Sequence, residues 1–213
     1  MTAQRLLLPF ASQMLLCGYQ NALYRAHWGY SHYGIDISAR QAGADERVLA
    51  SACGKVLAVG HDNSLGWGLA VLYPDCAGPD GTIKSLVARY LHLQSVKVAA
   101  GDLVLPWTIL GTEGKEGTTD YHLHLELDTD IEWPVHTPQV ARGHTFWKKG
   151  SDTTVDPSLW LHAAGGRTAV EPTYNPAWLN PQDLAFSQAP SAQSLQEKLV
   201  ALAHDIIDGL EAV

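Results

Sequence analysis

The sequence predicts a mainly β fold: an antiparallel sheet or folded sandwich with a helix at its C-terminal end. Three observations lead there. Short apolar runs rich in Val, Leu and Tyr recur between residues 6 and 161, separated by Gly, Asp and Asn. No helical period of useful length interrupts them. Near the end, Leu195, Leu199, Leu202, Ile206 and Leu210 recur at helical spacing behind a Ser194–Glu197 capping box.

The elements follow in order. The opening stretch MTAQRLLLPFASQMLLCG is broken by Pro9, Ser12 and Gln13, and no small-x-small cleavage site follows a long apolar core. It reads as the first strand, with no signal peptide visible. Later strand candidates are 55–59, 69–73, 85–93 and 122–127. His61-Asp62-Asn63, Gly66-Trp67-Gly68 and Gly78-Pro79-Asp80-Gly81 supply turns between them. Residues 129–155 read as a long loop or hairpin, followed by Val155-Asp156-Pro157-Ser158-Leu159-Trp160-Leu161. The stretch from 163 to 193 is rich in Ala, Gly, Pro, Asn and Gln. The resulting division is a domain over 1–161, an irregular extension over 162–193 and an amphipathic helix over 194–213.

Composition narrows the function. In 213 residues, 46% are apolar and 17% charged, the balance of a folded globule. Lys and Arg number 14 against 22 Asp and Glu, a net charge of −8 with no basic run. That argues against nucleic acid or anionic lipid as a partner. No apolar run approaches the roughly 20 residues that span a bilayer. Cys17, Cys53 and Cys76 are too few for a disulfide scaffold; Cys53 and Cys76 either bridge neighbouring strands or, more commonly for such residues, stay free.

Histidine is over-represented, ten against three Phe. In His122-Leu123-His124-Leu125-Glu126-Leu127, strand alternation puts His122, His124 and Glu126 on one face and the leucines on the other. Glu126 is then either a partner for a ligand histidine or a solvated strand residue. In Tyr90-Leu91-His92, the same rule puts Tyr90 and His92 on one face. His32-Tyr33-Gly34-Ile35-Asp36 sets a histidine and a carboxylate four residues apart around a glycine. Imidazoles with a carboxylate suit zinc, whose catalytic sites keep three protein ligands and an open position. His27, Trp28, Trp133, His144 and Trp147 are candidates for the edge of such a site.

These motifs, in this order, resemble the lysostaphin-type (LytM-like) zinc endopeptidases of bacterial cell walls. The resemblance covers about residues 6–161. It includes Gly54-x-Val56, Gly66-Trp67-Gly68, Gly101-Asp102-x-Val104 and Val155-Asp156-Pro157 with Leu161. It implies one Zn2+ per chain, held by His32, Asp36 and His124. His92 and His122 divide the general-base and oxyanion roles between them, and Tyr90 shapes the substrate groove. The implied fold is a small antiparallel β domain with its site in a groove across the sheet. The implied activity is hydrolysis of amide bonds in peptidoglycan peptides, in the cell envelope or outside the cell. A non-catalytic module that binds peptidoglycan or an amidase, and a zinc hydrolase of another peptide, are the alternatives. The chain departs from the family's usual residues at Asp45-Glu46-Arg47-Val48, at Trp107 and at Gly117-Thr118-Thr119-Asp120-Tyr121. All three border the groove.

Overall fold

The computed structural model describes residues 3–137, 147–148, 152–171 and 176–183. Among the described residues the main sheet has nine strands: β1 (Ser12–Cys17), β2 (Ile35–Ser38), β3 (Gly54–Asp62), β4 (Gly66–Ala77), β5 (Ile83–Leu93), β6 (Leu103–Val104), β7 (Leu123–Asp128), β8 (Thr154–Val155) and β9 (Thr168–Val170). Their order is β9-β1-β2-β7-β5-β4-β3-β6, with β8 paired to the far end of β7. Every pairing is antiparallel except β9 on β1. The mainly β, antiparallel class read from the sequence is thus the observed one.

One face of this sheet builds the core. Ile35, Ile37, Leu69, Val71, Leu123, Leu125 and Leu127 pack there with Phe10, Val48 and Leu110. Val48 and Leu110 come from a smaller antiparallel sheet of Arg47–Leu49, Ile109–Thr112 and Ser95–Val96. Each fully buried aliphatic side chain contributes about 1.5–3 kcal/mol relative to exposure, so this face holds the sheet together. Among the described residues the opposite face carries a smaller apolar cluster, Leu65, Ala70, Val87 and Leu91 with Leu57, Ala58, Leu72 and Val135 against it. It is therefore free for polar chemistry.

Two features are absent from the sequence reading. A helix, α1 (Ala22–Trp28), lies between β1 and β2. Asn21 caps it by accepting from the Leu23 and Tyr24 amides, and Gly29 ends it at φ 79°. Seven residues with none buried leave no apolar period to detect. The stretch after 162, read as irregular, carries β9. Arg167 ties this extension down, its guanidinium donating to the Leu8, Ala50 and Pro106 carbonyls. The helix expected over 194–213 lies outside the described residues. Cys17, Cys53 and Cys76 are all unpaired, Cys53 exposed and the other two buried. Among the described residues no helix is long and apolar enough to cross a membrane.

Candidate active site

The polar face of the sheet gathers the motif residues. Strands β2 and β7 pair so that Asp36 lies directly opposite His124. Directly opposed residues have their Cβ atoms about 4.5–5.5 Å apart on the same face, so register alone brings this carboxylate to this imidazole. His32 arrives from the loop after α1. Gly34 makes the approach possible: a Cβ there would collide with the Leu125 carbonyl and come within 2.9 Å of His124 Nε2.

Three donor atoms converge. His32 Nε2 is 3.1 Å from Asp36 Oδ1, His124 Nδ1 is 2.9 Å from the same oxygen, and the two nitrogens are 3.1 Å apart. Ligands held tetrahedrally by zinc at about 2.0–2.1 Å sit roughly 3.3 Å from one another. The triad is therefore already close to the spacing a tetrahedral cation requires. The outer ring nitrogens fix which atoms face inward. His32 Nδ1 lies 2.8 Å from the Gly18 carbonyl, which can only accept, so it carries the proton and Nε2 is bare in the neutral ring. His124 Nε2 faces Glu126 Oε1 at 3.3 Å, which leaves Nδ1 for the centre. These residues fit a metal ion of the zinc type.

His92 and His122 stand beside this triad. Their rings are 5.0 Å apart, and His122 Nε2 is 3.6 Å from Asp36 Oδ1. Each commits Nδ1 to a backbone carbonyl, His92 to Glu116 at 2.8 Å and His122 to Asp120 at 2.9 Å. Both therefore leave Nε2 available for proton transfer. Burial, aided by the neighbouring His122 and His124, pushes His92 down to about 3, so it is neutral at physiological pH.

Tyr90, expected to shape the groove, does not reach it: it is fully buried in the main core, bonded to the Ser51 and Tyr73 hydroxyls. A β-bulge is the cause. Leu93 pairs with Trp67 and Tyr90 with Leu69, so Leu91 and His92 together face a single residue of β4. His92 takes up the extra residue at φ 63°. The alternation breaks there, sending Tyr90 into the core while His92 joins the site.

Three groups at the site, Arg89, Asp128 and Tyr24, were not singled out from the sequence. Arg89, fully buried, donates to Glu126 at 2.6 Å and to Asp128 at 2.7 Å. Burial opposes the charge on Glu126, but Arg89 outweighs it and holds the carboxyl down at about 2. Glu126 is thus a buried, ionised partner of His124, which decides between the two readings left open for it. Tyr24 of α1 is stacked on His32 with ring centroids 4.3 Å apart. The signal that was available for Arg89 is a charged residue inside an otherwise apolar run.

The site lies in an open cleft of about 1030 Å³. Tyr24, Trp28, Tyr30 and Trp178 form one wall; Asn63, Ser64, Thr118, Thr119 and Asp120 are on the lining as well. Of the other aromatic candidates, Trp133 is exposed but does not line the cleft. His144 and the side chain of Trp147 lie outside the described residues.

The charge state gives one prediction. Burial works against protonation of His124, but its hydrogen bonds to Asp36 and Glu126 raise it to about 9. At pH 7 the metal-free ring therefore carries a proton that a metal must displace from Nδ1. Zinc binding at pH 7 is expected to release about one proton, and affinity should climb as pH rises towards 9. Calorimetry in buffers of different ionisation enthalpy checks this. Binding heats that do not vary with the buffer would overturn it.

The family model of peptidase family M23 matches residues 30–136, a span containing His32, Asp36, His92, His122 and His124. This chain belongs to peptidase family M23. Among solved structures, a chain of the SpoIIQ–SpoIIIAH pore-forming complex has a TM-score of 0.53 at 19% identity, with 75% of this chain and 92% of that one covered. The antimicrobial peptidase lysostaphin from Staphylococcus simulans gives 0.49 at 22%, over 78% and 56% of the two chains. The catalytic domain of prophage-encoded EnpA from Enterococcus faecalis, in a mutant form, gives 0.47 at 22%, over 74% and 96%. No curated protein matches this M23 chain.

Proposed function

We propose that this M23 member is a zinc-dependent endopeptidase that hydrolyses amide bonds in peptidoglycan peptides, in the stem or the cross-bridge, at the cell envelope or outside the cell. The observation that carries this is the convergence of His32 Nε2, Asp36 Oδ1 and His124 Nδ1 within 2.9–3.1 Å, beside two further imidazoles in an open cleft. When bound, zinc supplies Lewis-acid chemistry, polarising a carbonyl and acidifying water. His32, Asp36 and His124 hold it. His92 and His122 present Nε2 to the reacting groups; between them they take a proton from water and stabilise charge on the carbonyl oxygen. The cleft's open side admits an extended peptide.

The likeness to a chain of a pore-forming complex favours a second reading. In it the same cleft binds peptidoglycan peptides or a protein partner without cutting. A third reading keeps the zinc hydrolase on a different peptide. Digestion of purified sacculi of several cross-bridge chemistries separates them. The expected result is new peptide ends, seen by mass spectrometry, that vanish with a chelator. Intact sacculi of every type, from protein shown to hold zinc, would overturn the endopeptidase reading.

A further inference from the structure

We propose that the aromatic wall of the cleft is a saccharide subsite, taking the sugar to which a stem peptide is joined; this rests on the peptidoglycan reading above. The wall is not used by the core. No residue of α1 is buried, and Trp28 and Tyr30 are 51% and 40% exposed. Large exposed rings gathered in one place mark a binding surface more often than chance.

The rings form one assembly tied to the site. Tyr24 is its hub, with Tyr30 at 5.7 Å and Trp28 and Trp178 each at 6.3 Å between ring centroids. Tyr24 also stacks on His32, so Trp28 and Tyr30 sit two ring contacts from a candidate metal ligand. Tyr24, Trp28, Tyr30 and Trp178 line the same cleft as Asp36, His122 and His124. A ligand on the wall is therefore continuous with one at the candidate metal centre.

The chemistry favours a sugar over an apolar side chain. An apolar side chain is best held in an enclosed pocket, whereas these rings stand at the rim of an open cleft. Their faces are apolar and their edges polar, through phenol hydroxyls and indole N–H groups. A pyranose is the complement, with a flat C–H face and a rim of hydroxyls.

The test pairs binding with cleavage. A soluble tetramer of β-1,4-linked N-acetylglucosamine is titrated calorimetrically against the wild type, Trp28→Ala, Tyr30→Ala and Trp28→Phe, each checked for fold by circular dichroism. In parallel, zinc-loaded protein is given a disaccharide-linked stem peptide and the same peptide without sugar. The tetramer is expected to bind the wild type, about tenfold more weakly in Trp28→Ala, with Trp28→Phe recovering most of the loss. The wild type should prefer the sugar-bearing peptide in kcat/KM, and Trp28→Ala should bring that ratio towards one. No tetramer binding by folded wild type, or equal binding by both alanine variants, overturns the subsite. So does a concentration-dependent dimer that Trp28→Ala abolishes, since the wall would then be a self-association face. Tetramer binding without any peptide cleavage leaves the subsite standing and removes the peptidase reading; cleavage without sugar binding or preference does the reverse.

Discussion

His122→Ala is expected to keep its metal and lose turnover, whereas His124→Ala should lose both. The two residues stand two positions apart on one face, but their inward atoms do different things. His124 Nδ1 lies 2.9 Å from Asp36 Oδ1 and 3.1 Å from His32 Nε2, as one corner of the donor triad. Without it the triad keeps two donors, His32 Nε2 and Asp36 Oδ1; the Cys17 sulfur lies within 4.8 Å of both, but burial and the neighbouring Asp36 push its thiol up and disfavour the thiolate that a metal takes. His122 Nε2 stands further off, 3.6 Å from Asp36 Oδ1, and its Nδ1 is committed to the Asp120 carbonyl. Its removal leaves the triad intact and takes away a proton-transfer group, a loss of about 10²–10⁴-fold in rate. His92 is best tested as His92→Asn, because its backbone sits at φ 63°, where asparagine is tolerated better than alanine. That variant should also keep metal and lose turnover. Metal content by elemental analysis, beside rates on a fragment released from sacculi, reads all three. Full zinc in His124→Ala would refute this division of roles.

What was legible in the sequence was local. A strand's period of two residues is a property of the chain itself, so the split of His124 and Glu126 from Leu123, Leu125 and Leu127 could be read without a partner. The structure places the leucines in the core and the polar pair on the opposite face. The same rule failed one strand away, at Tyr90 and His92, because the bulge arises from how β5 pairs with β4. Nothing within Tyr90-Leu91-His92 announces it. The carbonyls of Gly18, Glu116 and Asp120 that set the histidine tautomers were illegible for a related reason: backbone groups carry no sequence signature. Helix α1 was too short to show a period. Arg89 was visible as an oddity within an apolar run, but its partners lie on β7, and only the register of β5 against β7 brings Glu126 opposite it.

That register underlies the second large effect. Arg89→Met is expected to destabilise the protein by about 3–5 kcal/mol, because removing one partner of a buried ion pair leaves uncompensated charge behind. Here it leaves two carboxylates, since Arg89 donates to both Glu126 and Asp128, and all three are buried. Losing its remaining bond, to the Pro134 carbonyl at 3.2 Å, would leave that acceptor without this donor. The sign of the pH effect follows. Glu126 is held down to about 2, so the stability its ionised form contributes is complete above about pH 4.5 and is lost as pH falls towards 2. Without Arg89 the carboxyl's pKa rises and that acid limb should move to higher pH. Unfolding by urea across this range measures both effects, and a loss under about 1 kcal/mol would contradict them. Glu126→Gln separates fold from site. It keeps the shape but replaces the ionised acceptor of His124 Nε2, and loss of such outer partners typically costs about 10–100-fold in metal affinity. The double variant Arg89→Met, Glu126→Gln removes one of the two stranded carboxylates. It should recover part of the stability while its zinc affinity stays low. If stability and zinc affinity recovered together, Glu126 would matter to the metal only through the fold; if they part, the buried Arg89–Glu126 pair orients His124 as well as holding the sheet.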